Sequence, residues 1–231
     1  MARSKLTAAS ITLNGVLLVA LIVLWSGRDP AVTVFLEKRM DRTLSFFETY
    51  PVSPGDVVFL GDSITEAGLW GEIFPDVPVK NRGRGGDTVA LLAERLDQVV
   101  SGRPRAIFLT IGTNDLTHGP RDREVSYRQY RAIIDRIQRA SPSTAIHVQS
   151  LLPRGVKFRE GLKAFNAELL RMARETGVHY IDLDPHFLAE DGSIRDDLSN
   201  DELHLQGEGY ALWAELLGQA IAPYRHGVPG Y

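Results

Sequence analysis

Val57-Val58-Phe59-Leu60 runs directly into Gly61-Asp62-Ser63-Ile64-Thr65, a short apolar, β-branched run that ends on a glycine turn carrying a serine hydroxyl. Similar runs recur at Val77 to Lys80, Ala106 to Ile111, Ala145 to Leu151 and Val178 to Leu183, and each reads as a strand. Helical patterns fill the gaps. Asp87 can cap a helix running to about Val100, stopped by Gly102. Others cover roughly Arg123 to Ala140, Arg159 to Thr176 before Gly177, and Glu208 to Ala222 before Pro223. Strand alternating with helix predicts an α/β fold: a five-stranded parallel sheet with both faces covered. Ligands of such sheets sit beyond the carboxyl ends of the strands, which is where Ser63 falls.

Upstream, Val32, Phe35, Leu36, Met40, Leu44 and Phe47 keep helical spacing among charged residues, predicting an amphipathic linker helix over 30–50. Pro51 to Gly55 then punctuates the start of the main domain, 51–231. Residues 1–29 are different material. Leu6 to Trp25 holds 20 residues without a charge, about 30 Å as a helix, which matches the hydrocarbon thickness of a bilayer. Arg3 and Lys5 precede it, so a retained anchor would leave the main domain outside the cytoplasm, periplasmic or at the cell surface. A cleaved signal peptide shares these features and would give a secreted protein, but no Ala-x-Ala-like site follows Trp25.

The 231 residues are 44% hydrophobic and 24% charged, enough for one globular core and too few charges for a disordered chain. Lys+Arg 26 against Asp+Glu 29 gives a net charge of -3, which offers no footprint for nucleic acid phosphates. With no cysteine, disulfides, thiolate nucleophiles and Cys-ligated zinc are excluded. No HExxH or Cys/His ligand cluster suggests a metal, so neither metal nor cofactor is expected.

A serine nucleophile needs a base. Among six histidines, His204 is preceded at three residues by Asp201, close enough on a turn to bond Nδ1 and leave Nε2 as acceptor. His147 and His179 fall within strands, His226 lies in the tail, and Asp184-Pro185-His186 is a rival pair on a loop leaving the fifth strand. An oxyanion needs convergent N–H donors. Asn81-Arg82-Gly83-Arg84-Gly85-Gly86-Asp87-Thr88 has the glycines to aim backbone amides, and Gly112-Thr113-Asn114-Asp115 supplies a side-chain amide. Taken singly, each segment also reads as an ordinary turn or helix cap.

Together and in this order, the Gly-Asp-Ser, Gly-Gly-Asp, Gly-Thr-Asn-Asp and Asp-x-x-His segments resemble the four blocks of an SGNH hydrolase of the GDSL esterase/lipase family. Ser150-Leu151-Leu152-Pro153-Arg154 and the segments 81–88 and 201–210 resemble the branch of platelet-activating-factor acetylhydrolase subunits. The resemblance implies a flavodoxin-like three-layer α/β/α sandwich and ester hydrolysis through an acyl-enzyme. By position it assigns Ser63, Asp201 and His204 to a catalytic triad. It assigns the Ser63 and Gly86 amides and the Asn114 side chain to an oxyanion hole. Without a large lid segment and with an external location, a short acyl group, acetyl included, is expected on a carbohydrate or lipid. The alternatives are a membrane-tethered glycan- or lipid-binding module without turnover and an acyltransferase. Ile64 replaces the family's leucine harmlessly. Arg84 stands where an aliphatic residue is expected, and it could attract an anionic substrate or pair with a carboxylate such as Asp87.

Overall fold

The structure, a computed structural model, describes residues 30–117 and 119–225. The Leu6 to Trp25 anchor, His118 and His226 therefore lie outside the described residues. Among the described residues no helix is long and apolar enough to cross a membrane. The chain divides at Phe47 into two compact units. Most of helix α1, Pro30–Thr49, belongs to the first, and every element below belongs to the second.

Five parallel strands form one sheet: β1 Val57–Gly61, β2 Val79–Gly83, β3 Ala106–Thr110, β4 Ala145–Gln149 and β5 His179–Ile181. Their order is β2-β1-β3-β4-β5, with Gly61 paired to Gly83 on one side and Thr110 on the other. All five residues of β1 and of β3 are buried, as strands covered on both faces must be.

Alternation along β1 divides the core in two. Val58 and Leu60 face a cluster with Leu92, Ile134 and Phe165. These come from helices α4 (Val89–Glu94), α6 (Pro120–Ala140) and α7 (Arg159–Thr176). Val57 and Phe59 face the other cluster, with Trp70, Phe187 and Trp213. Its helices include α2 (Ser63–Ala67), α3 (Trp70–Ile73), α8 (Asp184–Phe187) and α9 (Gly207–Ile221). The result is a three-layer α/β/α sandwich.

The expected helix from Asp87 to Val100 is shifted and split. Thr88 is the cap, its side chain accepting from Leu91 N, and a second short helix, α5, occupies Asp97–Val100. The second strand lies further along than Val77 to Lys80, because Asn81, Arg82 and Gly83 continue the ladder with β1. The segment after β5 is a helical turn, α8, where a loop was expected. α7 has the expected bounds, closed by Gly177 at φ 72, a left-handed C-cap that glycine adopts without strain.

In this strand order the chain reverses direction of winding between β1 and β3, and the crevice at such a switch point is the natural ligand site. The loops after β1 and β3 carry Ser63 and Asn114.

Candidate active site

β1 ends where glycine is obligatory. A Cβ at Gly61 would lie 2.3 Å from Thr110 O on the neighbouring strand and 2.2 Å from Thr65 Oγ1. Asp62 then caps α2, its carboxylate accepting from Ile64 N at 3.0 Å, so Ser63 becomes the first helical residue at the sheet's carboxyl edge. Five residues are too few for a helix to persist alone, so tertiary bonds hold its carbonyls. Asn81 Nδ2 donates to Thr65, Glu66 and Gly68 O at 3.0 Å, Trp70 Nε1 to Thr65 O at 2.9 Å, and Tyr210 OH to Ile64 O at 2.7 Å.

Ser63 Oγ lies 3.0 Å from His204 Nε2, and His204 Nδ1 lies 2.7 Å from Asp201 Oδ2. With the Nδ1 proton given to the carboxylate, Nε2 is left to accept from the serine hydroxyl. A tight turn makes this possible. Asp201 Oδ1 accepts from Leu203 N at 3.0 Å and His204 N at 2.7 Å, and Ser199 pairs with Leu205 in an isolated bridge. Glu202, between them, sits at φ 60, a left-handed conformation that costs a non-glycine residue about 1–3 kcal/mol. Burial pushes the Asp201 carboxyl up, but the side-chain and backbone bonds from His204 and the bond from Leu203 outweigh it and hold it at about 2. Asp62 is the opposite case. Its complete burial, with Asp87 and Asp115 adding to it, pushes its carboxyl up to about 7 against the bond from Ile64 N.

The second arm is the loop after β2. Gly86 is at φ 82 with open space where a Cβ would be, so backbone conformation, not crowding, calls for glycine. Its amide donates to no acceptor among the described residues, whereas the neighbouring Gly85 N is taken by Glu66 Oε2 at 3.0 Å. Asn114 donates from Nδ2 to Asp87 O at 2.8 Å, which leaves its second N–H available and ties the two donor loops together.

Asp87 anchors both loops. Arg84 Nε donates to its Oδ1 at 2.6 Å and Arg95 Nε to its Oδ2 at 2.7 Å, all three side chains being buried. Arg95 Nη2 reaches on to Gly61 O and Arg82 O. Of the two readings of Arg84, the structure therefore shows the ion pair with Asp87. Asp87 is correspondingly a buried counter-ion, where the sequence suggested a helix cap.

The structure brings Ser63, His204 and Asp201 together. Asp184 of the rival pair is engaged elsewhere, accepting from Arg159 Nη1 at 2.6 Å. His147 and His179 stack on each other, with His147 also stacked on Phe108. Sequence reasoning missed the roles of Arg95 and Arg154. Arg154 Nη1 donates to Thr113 O at 2.9 Å while its guanidinium lies 3.9 Å over the Phe158 ring, and the adjoining Gly155 N donates to Glu202 O at 3.1 Å. One short segment thus braces the Asn114 loop and the Asp201 turn; its only sequence signal is its membership of the Ser150-to-Arg154 run.

A hydroxyl–imidazole–carboxylate chain, with unused amide donors in the loops after β2 and β3, is suited to acyl transfer. Comparison with known proteins agrees. Residues 59–212 match the family described as GDSL-like Lipase/Acylhydrolase. Platelet-activating factor acetylhydrolase IB subunit alpha1 of Pongo abelii is 33% identical over 167 residues, covering 68% of this chain and 71% of its own. A solved structure from Streptococcus pneumonia matches with TM-score 0.76 at 25% identity, covering 83% of this chain and 97% of its own. A GDSL-like lipase from Bacteroides thetaiotaomicron shares the fold with TM-score 0.68 at 20% identity, covering 79% and 97%. The chain belongs to the GDSL-like lipase/acylhydrolase, or SGNH hydrolase, family and is a carboxylic ester hydrolase.

Proposed function

We propose that this enzyme removes short acyl groups, acetyl foremost, from a carbohydrate or lipid ester through an acyl-enzyme on Ser63. The observation that carries the reading is the continuous pair of hydrogen bonds, 3.0 Å from Ser63 to His204 and 2.7 Å from His204 to Asp201. His204 Nε2 takes the hydroxyl proton as Oγ attacks the ester carbonyl. The oxyanion rests on the Ser63 and Gly86 amides and the free N–H of Asn114. His204 then returns the proton to the departing alcohol, and a water deprotonated by the same imidazole releases the acid. The Asp201 carboxylate stays ionised throughout, its low pKa matching the imidazolium it faces.

Two observations support a short acyl group. Only five residues separate Gly83 from α4 and one separates Gly61 from α2, so neither connection has the length to wall a deep acyl tunnel. The Pongo abelii relative, moreover, bears the name of an acetylhydrolase. The charge-free Leu6 to Trp25 stretch supports a membrane-anchored enzyme with its catalytic domain outside the cytoplasm.

A fluorophosphonate probe labels the full chain, and Ser63→Ala abolishes the labelling; labelling that persists in the variant rejects this nucleophile. Among p-nitrophenyl esters the acetate is the best substrate, and preference for the dodecanoate over the acetate rejects the short acyl group.

A further inference from the structure

An apolar groove of about 340 Å³, near the lower end of the roughly 300–1,000 Å³ range of small-molecule sites, begins one helical turn after Ser63 on α2 and three residues after His204. One wall is Ala67, Leu69 and Ile73; the other is Gly207, Tyr210 and Ala211. Both walls lead back to the catalytic pair. Ala67 lies four residues after Ser63 on α2, on the same helix face and about 6 Å along its axis. Gly207 opens α9 three residues after His204. The Tyr210 hydroxyl is occupied by Ile64 O, which leaves the groove the ring and not the polar tip. At the rim Leu69 is 63% exposed, a large apolar side chain that the fold leaves in water. Glu72 is the one charged residue of the lining.

We infer that this groove receives the alcohol half of the ester, and that the alcohol is an unbranched aliphatic chain. The inference rests on the proposed acyl-enzyme at Ser63 and specifies its leaving group. The direction follows from the proton path. The leaving oxygen must lie within hydrogen-bond reach of His204 Nε2, which protonates it, so the alcohol extends to the flank of His204. The groove is walled by the helix that follows His204. Gly86 and Asn114 lead into segments that pack in the other core cluster, and they are set on the Arg84–Asp87–Arg95 ion cluster, where an aliphatic chain would meet polar donors. A groove open along one side buries about half of each methylene, so each added carbon should raise kcat/KM about twofold.

The test is an acetate-ester series of straight-chain alcohols from two to eight carbons, assayed with the full chain, Ala211→Trp and Leu69→Glu. Both positions are exposed, and the slope of kcat/KM against chain length is independent of how much of each variant is active. Expected is a rise of about twofold per methylene in the parent enzyme, flattened in both variants. A flat parent series with ethyl acetate still hydrolysed overturns the inference and leaves the catalytic reading intact. A slope that survives both substitutions, or one that appears only when the acyl chain is lengthened in ethyl esters, overturns it as well. If no ester is hydrolysed and Ser63 is not labelled, the catalytic reading falls and takes this inference with it.

Discussion

The two arms of the site are built on opposite principles. In the arm proposed to move the proton, the Asp201 and His204 side chains are 48% and 42% exposed, and a local turn of backbone-to-carboxylate bonds holds them. In the arm that carries the amide donors, Asp87 is fully buried between the guanidinium groups of Arg84 and Arg95. A base that exchanges protons with water and product gains from standing at the edge. Donors that only have to keep still gain from a buried, charge-locked frame, where reorganisation is small and electrostatics are stronger. The difference separates what substitutions in each arm should do.

The largest effect is expected from Asp201→Asn, which should lower kcat about 10⁴-fold by removing the charge that orients and stabilises the imidazolium. Its unfolding free energy should change by under about 1 kcal/mol, as for an exposed pair. Urea melts and steady-state kinetics on the same preparation check both. Asp87→Asn should show the reverse balance: two buried guanidinium groups without a counter-charge should cost about 3–5 kcal/mol in a urea melt. If Asp201→Asn is the more destabilised of the two, the contrast between the arms is wrong. Asn114→Ala should lower kcat by about 10²–10³ with KM nearly unchanged, since its free N–H is used only when the oxyanion forms. A change confined to KM would mean that Asn114 binds the ground state.

The smallest effect extends the comparison to a second histidine. Burial, aided by the neighbouring His179, lowers the His147 imidazole to about 4. Its Nε2 meets Tyr224 OH at 3.0 Å, and Nδ1 is buried without a hydrogen-bond partner. Between pH 6.5 and 4 the unfolded chain binds the proton and the folded chain does not. His147 therefore contributes stability above pH 6.5 that is lost as pH falls toward 4, up to about 3 kcal/mol. The variant His147→Phe should lose that slope; an unchanged difference in pH-dependent unfolding would show that His147 titrates alike in both states.

Much of this was readable because it is local. The Asp201-to-His204 spacing is a turn, and the turn makes its own bonds, so the pairing of this imidazole with its carboxylate is contained within four consecutive residues. The α7 boundary at Gly177 is equally local, a left-handed cap that the residue type announces. The shifted second strand is the contrary case. Asn81-Arg82-Gly83 reads as a loop, yet it is strand because Gly83 packs where a Cβ would fall 2.1 Å from Glu66 N, a contact with a helix seventeen positions back. Arg84 had two readings of equal standing, since nothing in Arg84-Gly85-Gly86-Asp87 tells whether its cation meets solvent or a buried carboxylate.

By itself, the amino-acid sequence determined the strand–helix alternation, the charge-free first segment and the residue types able to perform acyl transfer. These depend on periodicity and on chemistry carried within a few residues. Only the tertiary structure decided that Asp87 is the shared counter-ion of Arg84 and Arg95, that the Arg154-Gly155 segment braces two loops, and that an apolar groove lies between α3 and the start of α9. Each of those depends on which distant segments the parallel sheet brings side by side at its carboxyl edge, and hence on desolvation and contact that no short window of sequence contains.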